Sequence, residues 1–363
     1  MAKKLMKGNE ALGEAAIAAG ALNYFAYPIT PQSEVAEYLC WRLPQVGGNF
    51  VQAESEVAVG NMLFGAASTG KRVFTTSSSP GVSLMQEAIS YMAGAHLPVV
   101  LLNIMRGGPG LGGILPAQSD YFQAVKGGGH GDYRLVVLAP ASVQEAVDLM
   151  IESFDIAEKY LGPVMIVADG MIGQMMESVE FPKEYCKEND PTKSDWALNG
   201  ADKRKPRIVK SLFLDGKKLE ENCLLLEEKY KEIRKNEVKY ELYKVSKKNK
   251  ILITAFGTMA RICQTAIDEL EEEKISVGLM RPISLYPFPE KEMLKEAQKS
   301  NILAILDIEM STGQMVEDVE RCTRSIKPIE FFGRTGGIVP TPEEVKDKVR
   351  ELIKKYKVTK KKS

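Results

Sequence analysis

The chain has 363 residues with 48 basic and 48 acidic side chains, so its formal net charge is zero. This length predicts about two or three domains, each large enough to bury its own core. Balanced charge gives no electrostatic reason to expect nucleic acid or an anionic membrane surface as a partner. Apolar runs such as 97–105 are too short to cross a bilayer, and the first residues lack the long apolar core of a signal peptide.

The cysteines and histidines argue against a disulfide framework or a metal centre in this chain. The five cysteines form no C-x-x-C pair, which is typical of reduced thiols in a cytoplasmic protein rather than of an iron–sulfur site. They are Cys40, Cys186, Cys223, Cys263 and Cys322. The two histidines, His96 and His130, lie far apart in the sequence, so a histidine-based metal site is not expected.

Between Asn9 and Asp169, short apolar runs alternate with helical patterns. The apolar runs predict buried strands at YFAYPI, FVQAE, RVFTTSS, PVVLLNIM, LVVLAP and VMIVAD. The segments between them predict helices, among them ALGEAAIAAGAL, EVAVGNMLFGAAS and SVQEAVDLMIESFDIAEKY. Strands this apolar, separated by helices, are typical of an α/β fold with a parallel sheet that is covered on both faces.

The pattern changes in the middle of the chain. Segment 179–249 is polar and charged, and it predicts a connector that ends in one long solvent-facing helix. Strand and helix patterns return in 250–357, beginning at KILITAFG, and predict a second, smaller α/β domain. The predicted organisation is therefore a first domain at 1–178, the connector, the second domain, and a solvated tail at 358–363.

Four loops carry the polar residues of the first predicted domain. In an open parallel sheet, ligands bind at the carboxyl ends of the strands, where the loops lead into helices. The loops expected at that edge are YPITP, QAESE, TSSSPG and MRGGPGLGG. Thr30 in the first loop precedes a proline, which predicts that it caps the following helix, and a cap at this edge also lines the ligand crevice.

Three charged side chains in these loops have both a structural and a functional interpretation. Glu54 and Glu56 follow a predicted strand. A glutamate there either complements the helix dipole or points into the crevice to hold or transfer a proton, and spacing alone does not choose between the two residues. Arg106 ends a strand, where its guanidinium is either solvated or suited to a substrate carboxylate or phosphate.

The glycine-rich stretch 108–113 formally matches the dinucleotide fingerprint G-x-G-x-x-G. That fingerprint requires a helix that begins inside the motif, and Pro109 and Pro116 interrupt helix formation here. We therefore predict a flexible active-site loop rather than a dinucleotide site. His130, in KGGGHGDYR, is more typical of a loop contact than of an acid–base group, so it stays outside the predicted catalytic set.

These motifs together resemble a known enzyme family. YPITPQSEVAE, QAESEVAVGNMLFGAASTGKR, TTSSSPGVSLMQEA and NIMRGGPG resemble the pyrimidine-binding domain of the thiamine-diphosphate-dependent 2-oxoacid:ferredoxin oxidoreductases. ILITAFGTMARI, RPISLYPFP, IEMSTGQMVEDV and GGIVPTPEEV resemble the smaller transketolase C-terminal-like α/β domain that follows it in the same subunit. The resemblance covers nearly the whole chain in order and is weak only in the connector.

The resemblance implies roles for four residues. Glu56, and not Glu54, matches the family's cofactor-activating glutamate, which hydrogen-bonds the pyrimidine ring and promotes loss of the thiazolium proton. Thr30 matches a threonine whose hydroxyl contacts the bound 2-oxoacid, and Arg106 matches an arginine near the substrate carboxylate and the cofactor. Pro28 stands where the family backbone approaches the pyrimidine.

The same resemblance implies partner subunits. The sequence has no G-D-G motif followed by the asparagine that holds magnesium and the diphosphate in thiamine enzymes, and no cysteine set for a 4Fe-4S cluster. The implied role is therefore an alpha subunit that shares thiamine diphosphate with a beta subunit carrying Mg²⁺ and a cluster. A gamma subunit and a ferredoxin-like delta subunit with clusters are expected as well.

Within the family, RGGPGLGGILPAQSDYFQAVKGGGHGDYR is most similar to the alpha subunit of the 2-oxoisovalerate enzymes. This implies oxidative decarboxylation of branched-chain 2-oxoacids, such as 3-methyl-2-oxobutanoate, to acyl-CoA and CO₂, with coenzyme A as co-substrate and ferredoxin as electron acceptor. Two alternatives stay open. One is the same reaction with 2-oxoglutarate or pyruvate, and the other is a non-catalytic nucleotide-binding scaffold subunit.

Overall fold

The computed structural model of the protein describes residues 3–182, 194–202 and 204–359. The strands in these ranges are β1 Lys4–Lys7, β2 Asn23–Ala26, β3 Asn49–Gln52, β4 Val73–Ser77, β5 Val100–Met105, β6 Val136–Leu138, β7 Val164–Asp169, β8 Met176–Val179, β9 Tyr240–Tyr243, β10 Ile251–Thr254, β11 Val277–Pro282, β12 Ser284–Tyr286, β13 Ala304–Glu309 and β14 Ile329–Gly333. The helices are α1 Gly8–Ala18, α2 Ser33–Gln45, α3 Glu56–Ser68, α4 Pro80–Gly94, α5 Tyr121–Val125, α6 Val143–Tyr160, α7 Gly170–Gln174, α8 Gly216–Asn236, α9 Gly257–Glu272, α10 Glu290–Ala297, α11 Met315–Thr323 and α12 Pro342–Thr359. Across the described ranges, none of these helices is both long and apolar enough to span a membrane.

The larger sheet has seven strands in the order β12-β6-β7-β5-β4-β2-β3. Its neighbouring strands run parallel except β12, which pairs antiparallel with β6 at the edge. Every residue of β4, β5 and β7 is buried, as expected for strands that are covered by helices on both faces. The six strands predicted in the first part of the chain are present, with helices between them, so the predicted parallel α/β fold is confirmed.

The smaller sheet has five strands in the order β14-β13-β10-β11-β9. Four of them are parallel, and β9 pairs antiparallel with β11. Two strands differ from the predicted division of the chain. β9 lies in the range predicted as connector, yet it is a strand of this sheet. β12 lies in the range of the second predicted domain, yet it is the last strand of the larger sheet. The second α/β unit therefore begins before residue 250.

The long helix of the connector is docked rather than fully solvent-facing. α8 buries Leu226, Tyr230 and Ile233 against the core of the larger sheet, while most of its other residues are exposed. These three residues are spaced at i, i+4 and i+7, which places them on one face of a helix. The predicted helix is present, but its apolar stripe attaches it to the first domain.

Some predictions fall partly outside the described residues. α12 continues to Thr359, so the predicted tail 358–363 begins as helix, and residues 360–363 lie outside the described part. Cys186 also lies outside it. The other four cysteines are free thiols.

Buried hydrogen bonds join the two sheets through the loop that precedes α5. Gln118 donates from Nε2 to the carbonyl of Phe256 at 2.8 Å, and its Oε1 accepts from the Met310 N–H at 3.1 Å. The Gln118 N–H also donates to the Met310 carbonyl at 2.9 Å. Tyr121 donates to Asp318 at 2.7 Å. Because these groups are buried, the second domain fixes the loop that leads to the carboxyl edge of the larger sheet.

Candidate active site

The carboxyl ends of β2, β4 and β5 meet at one edge of the larger sheet, because these neighbouring strands are parallel. The loops that follow them contain Thr30, the serine turn before α4, and Arg106. β3 ends beside β2, and Glu56 begins the helix that follows it. The structure therefore brings the predicted site residues to one edge, and the contacts below link them.

Glu56 is the first residue of α3, and Ser55 caps that helix by accepting a hydrogen bond from the Ala58 N–H at 3.3 Å. Glu56 is buried, with 6% of its surface exposed, whereas Glu54 is exposed. Within the described ranges, no donor makes a hydrogen bond to the Glu56 carboxylate. The carboxylate of this largely buried residue therefore keeps its acceptor capacity for a ligand.

The turn that starts α4 lies directly against this carboxylate. A Cβ atom on Gly81 would lie 2.5 Å from Glu56 Oε1 and 2.2 Å from Ser77 Oγ, both far inside van der Waals contact. Glycine is therefore required if the carboxylate is to keep its position. The hydroxyls of Ser77 and Ser78 are also buried without a hydrogen-bond partner among the described residues. The Glu56 carboxylate at this turn thus has a hydrogen bond left for a ligand, whereas the two hydroxyls are enclosed by the protein.

Arg106 follows β5 and is buried, with 6% of its surface exposed, so the solvated interpretation is wrong. Its Nη1 donates to the carbonyl of Thr30 at 2.8 Å, and its Nη2 donates to the carbonyl of Leu111 at 3.0 Å. Nε is buried without a partner in the described part of the chain. The guanidinium therefore ties the first loop to the glycine-rich loop and places a positive charge between them.

Thr30 lies in a turn before α2 and not at the helix terminus. The helix begins at Ser33 with Gln32 in the N-cap position, so the prediction that Thr30 caps the helix is wrong. The Gln32 N–H closes the turn on the carbonyl of Ile29 at 3.1 Å, and the buried Gln32 side chain anchors it. Thr30 and Pro28 are both exposed, so neither side chain is used by the core of the protein.

The anchor of this turn is a buried chain of side-chain hydrogen bonds. Thr76, on β4, donates to Gln32 Oε1 at 2.6 Å, and the Tyr24 hydroxyl lies 2.6 Å from Thr76 Oγ1. Because Thr76 gives its proton to Gln32, Tyr24 is the donor in that second bond. Burial raises the pKa of Tyr24, so this hydroxyl keeps its proton. These hydrogen bonds fix the YPITP loop relative to β4.

A second buried network, which the sequence analysis missed, holds the turn before α4. Ser79 Oγ donates to Asp120 Oδ2 at 2.5 Å, and Asn103 Nδ2 donates to the same oxygen at 2.9 Å. Asn103 Oδ1 accepts from the Ser79 N–H at 3.0 Å, and Ser79 Oγ accepts from the Arg106 N–H at 3.0 Å. Burial raises the pKa of Asp120, although the hydrogen bonds from Ser79 and Asn103 oppose that rise.

The network stabilises a backbone conformation that a serine rarely adopts. Ser79 has a φ of 23°, on the left-handed side that favours glycine. Its bonds to Asp120 and Asn103 offset this strain, and they hold Gly81 against Glu56. The sequence contained one signal for this network. Asn103 is the polar residue in the buried strand VLLNIM, and a buried amide needs hydrogen-bond partners.

The glycine-rich loop is closed by its own backbone hydrogen bonds, and residues 108–115 are exposed. The Gly113 N–H donates to the carbonyl of Gly107 at 2.8 Å, and the Gly107 N–H donates to the carbonyl of Leu115 at 3.1 Å. The next helix, α5, begins only at Tyr121. No helix therefore begins inside the motif in this described stretch, as predicted, and the geometry of a dinucleotide fingerprint is missing.

Family models and relatives agree with this fold. The model for pyruvate flavodoxin/ferredoxin oxidoreductases, thiamine diphosphate-binding, matches residues 14–242, and the model for the pyruvate:ferredoxin oxidoreductase core domain II matches residues 249–345. Ketoisovalerate oxidoreductase subunit VorB of Methanothermobacter thermautotrophicus is 46% identical over 97% of this chain and 98% of that protein. 2-Oxoglutarate synthase subunit KorA of Archaeoglobus fulgidus is 36% identical over 92% of this chain and 95% of that protein.

A solved structure extends the likeness to three dimensions. The 2-oxoglutarate:ferredoxin oxidoreductase from Magnetococcus marinus, with 2-oxoglutarate, coenzyme A and succinyl-CoA bound, matches with a TM-score of 0.83 at 27% identity. The match covers 96% of this chain and 65% of that longer chain. A parallel-sheet domain of the thiamine diphosphate-binding class, followed by a second α/β domain, is thus the architecture of this protein. The chain belongs to the 2-oxoacid:ferredoxin oxidoreductase family.

The close approach of Gly81 to Glu56 leads to a prediction. Gly81→Ala is expected to displace the Glu56 carboxylate, and a displacement of about 1 Å costs up to roughly 10²-fold in rate. The measurement is 2-oxoacid-dependent dye reduction by the assembled complex. Gly65→Ala is the matched control, because Gly65 is exposed on α3 with no atom within 4 Å of its Cβ position. The control should keep full activity, and equal activity in Gly81→Ala would contradict the prediction.

Proposed function

We propose that this chain is the alpha subunit of a thiamine-diphosphate-dependent 2-oxoacid:ferredoxin oxidoreductase that acts on branched-chain 2-oxoacids such as 3-methyl-2-oxobutanoate. The complete reaction converts the 2-oxoacid and coenzyme A to acyl-CoA and CO₂ and passes two electrons to ferredoxin. The observation that carries the catalytic role is the buried Glu56 carboxylate, which has no hydrogen-bond donor within the described ranges. The higher identity to a ketoisovalerate enzyme subunit than to a 2-oxoglutarate enzyme subunit, 46% against 36%, favours the branched-chain substrate.

Glu56 is the residue that would hold the pyrimidine ring of the cofactor. When bound, thiamine diphosphate supplies the carbon nucleophile and the electron sink for decarboxylation of a 2-oxoacid. Glu56 can accept a hydrogen bond from a protonated ring nitrogen, and burial makes that bond stronger than it would be in water. The residues fit such a ring, because the Glu56 carboxylate accepts no hydrogen bond within the described ranges and can take one from the ring.

Thr30, Arg106 and Pro28 would complete this chain's share of the site. Arg106 holds the carbonyl of Thr30, and this contact would position the exposed Thr30 hydroxyl for a bound 2-oxoacid. Its guanidinium charge would favour the substrate carboxylate nearby. The exposed Pro28 stands at the start of the same turn, where its backbone would approach the pyrimidine.

We propose that a beta subunit covers this edge and supplies the remaining cofactor contacts. Large apolar side chains stay exposed around the site, and Leu111 on the glycine-rich loop has 83% of its surface exposed. The others are Val57, Leu84, Ile114 and Leu115. An exposed apolar surface of this kind is typical of a protein interface. The beta subunit would carry the diphosphate site, Mg²⁺ and a cluster.

Gamma and ferredoxin-like delta subunits would complete the complex, with 4Fe-4S clusters on the partner subunits. Their expected role is to bring electrons to ferredoxin. The four described cysteines are unpaired, which supports a reducing, cytoplasmic location. A co-purification with this chain as bait tests the assembly. Recovery of the chain alone, without a chromophore, would count against it.

The first functional prediction concerns Glu56. Glu56→Gln keeps the shape of the side chain but removes its negative charge, so activity of the assembled complex should fall by roughly 10²-fold or more. Glu54→Gln is the matched control, since Glu54 lies two residues earlier and is exposed. Activity near wild type in Glu56→Gln would remove the residue from its proposed role, provided that subunit assembly is unchanged.

The second concerns the Thr30 hydroxyl. Thr30→Ala should lower kcat/KM for the 2-oxoacid by about 10-fold or more, because one hydrogen bond to a charged substrate is lost. Thr30→Ser keeps the hydroxyl and should stay close to wild type. Equal losses of activity in the serine and alanine variants, or full activity in the alanine variant, would show that the Thr30 hydroxyl does not contact the substrate.

Arg106 is tested separately. The variant Arg106→Lys cannot hold both carbonyls with the same fork, so it should raise the KM for the 2-oxoacid more than it lowers kcat. An unchanged KM would remove Arg106 from its proposed role.

The third tests the substrate. Steady-state kinetics of the purified complex on 3-methyl-2-oxobutanoate, pyruvate and 2-oxoglutarate should give the highest kcat/KM with the branched-chain acid. The physical expectation is an apolar side-chain site, which rejects the second carboxylate of 2-oxoglutarate because a buried unpaired charge is costly. Preference for 2-oxoglutarate or pyruvate would overturn the substrate assignment and leave the reaction type intact.

A further inference from the structure

A basic groove lies at the opposite end of the larger sheet from the candidate active site. It has a cavity volume of about 750 Å³ and is bounded by α8, α10, α11 and the edge strand β12. Arg134, which lines it, lies two residues before the amino end of β6, whereas Arg106 follows the carboxyl end of β5. Since β6 and β5 both run parallel to β7, these two arginines mark opposite ends of the sheet.

The groove has more basic than acidic side chains, although the whole chain is neutral. Seven basic residues and three carboxylates line it. Two of those carboxylates are already engaged with basic groove residues. Asp318 lies 2.6 Å from Lys126 and 3.2 Å from Arg321, and Glu290 lies 2.7 Å from Arg321. Glu292 is the lining carboxylate without an ion pair among the described residues.

Three groove cations make no ion pair with any carboxylate of the described ranges. Arg134 donates at 3.1 Å to the neighbouring carbonyl of Tyr133, and Lys235 and Lys291 are exposed on α8 and α10. Like charges gathered around one cavity repel one another, and the carboxylates that line this cavity are fewer than its cations. They therefore form a ready site for an anion, and arginine suits phosphate oxygens because its fork can donate two parallel hydrogen bonds.

The floor of the groove is apolar and aromatic. Leu285 and Phe288 are buried there, and Tyr286 is half-buried. The Tyr286 hydroxyl accepts a hydrogen bond from Arg234 Nη1 at 3.2 Å, so its own proton remains available to an anion. Burial raises the pKa of Tyr286, which keeps that proton in place.

We propose that this groove binds a small anion with two or more adjacent phosphate groups, with the phosphates on Arg134, Lys235 and Lys291. A concave cavity of this size, with a few charged groups above an apolar floor, is typical of a small-molecule site. A nucleoside diphosphate or triphosphate and an inorganic polyphosphate share this chemistry. The aromatic floor distinguishes them, because only the nucleotide has a base to place against Tyr286.

The test is equilibrium binding to the assembled complex with saturating thiamine diphosphate present throughout, so that the candidate active site is filled. ADP and inorganic pyrophosphate are the two probes. We expect saturable binding that weakens by at least about tenfold in Arg134→Gln/Lys291→Gln, since two charged contacts are lost. Lys217→Gln/Lys218→Gln is the matched control, because both lysines are exposed on α8 away from the groove.

The two probes identify the source of the phosphates. Tighter binding of ADP supports a nucleotide, and equal binding supports an inorganic polyphosphate. Oxidoreductase activity without added nucleotide should be unchanged in the double variant, since neither residue belongs to the candidate active site. Absence of saturable binding at millimolar concentration, or equal binding by wild type and the double variant, would overturn the proposal. If the groove were instead covered by an acidic segment of a partner subunit, the complex would bind neither probe.

Discussion

The rest of the site depends on one constraint, a largely buried glutamate at the start of a helix whose carboxylate receives no hydrogen bond from the described part of its own chain. The turn that begins α4 lies against the Glu56 carboxylate, and Gly81 is the residue that lets the turn approach so closely. A carboxylate that is largely withdrawn from water and has no donor costs stability, and a ligand that supplies the missing donor offsets that cost. The family has a thiamine diphosphate-binding domain, and in our proposal the pyrimidine ring of that cofactor supplies the donor to Glu56.

The surrounding structure keeps that turn rigid. Ser79 holds an unfavourable backbone conformation because Asp120 and Asn103 bind its side chain and its N–H. Arg106 is bound to Ser79 through its N–H and to the Thr30 loop through its guanidinium, so one network reaches from the serine turn to the predicted substrate contact. Gln118, two residues before Asp120, is clamped by the second domain. The second domain therefore stabilises the site from a distance.

Much of the fold could be predicted from the sequence, because apolar strands and amphipathic helices alternate with clear boundaries. Only the family resemblance identified Glu56 rather than Glu54 as the catalytic candidate, since either position suits the start of a helix. The cap predicted at Thr30 was wrong because Gln32, anchored by Thr76, sets the start of α2. Asp120 was missed because its partners lie 17 and 41 residues away. The basic groove could not be predicted from the sequence, because its charged side chains come from separate helices and strands.

The most direct measurement is an experimental structure of the assembled complex with thiamine diphosphate bound. We predict a Glu56 carboxylate oxygen at hydrogen-bond distance, about 2.6–3.2 Å, from the pyrimidine ring nitrogen remote from the amino group. The ring should lie beside Gly81, with the beta subunit over the diphosphate. A pyrimidine held by a different acidic residue, or a Glu56 side chain turned away from the cofactor, would contradict this mechanism.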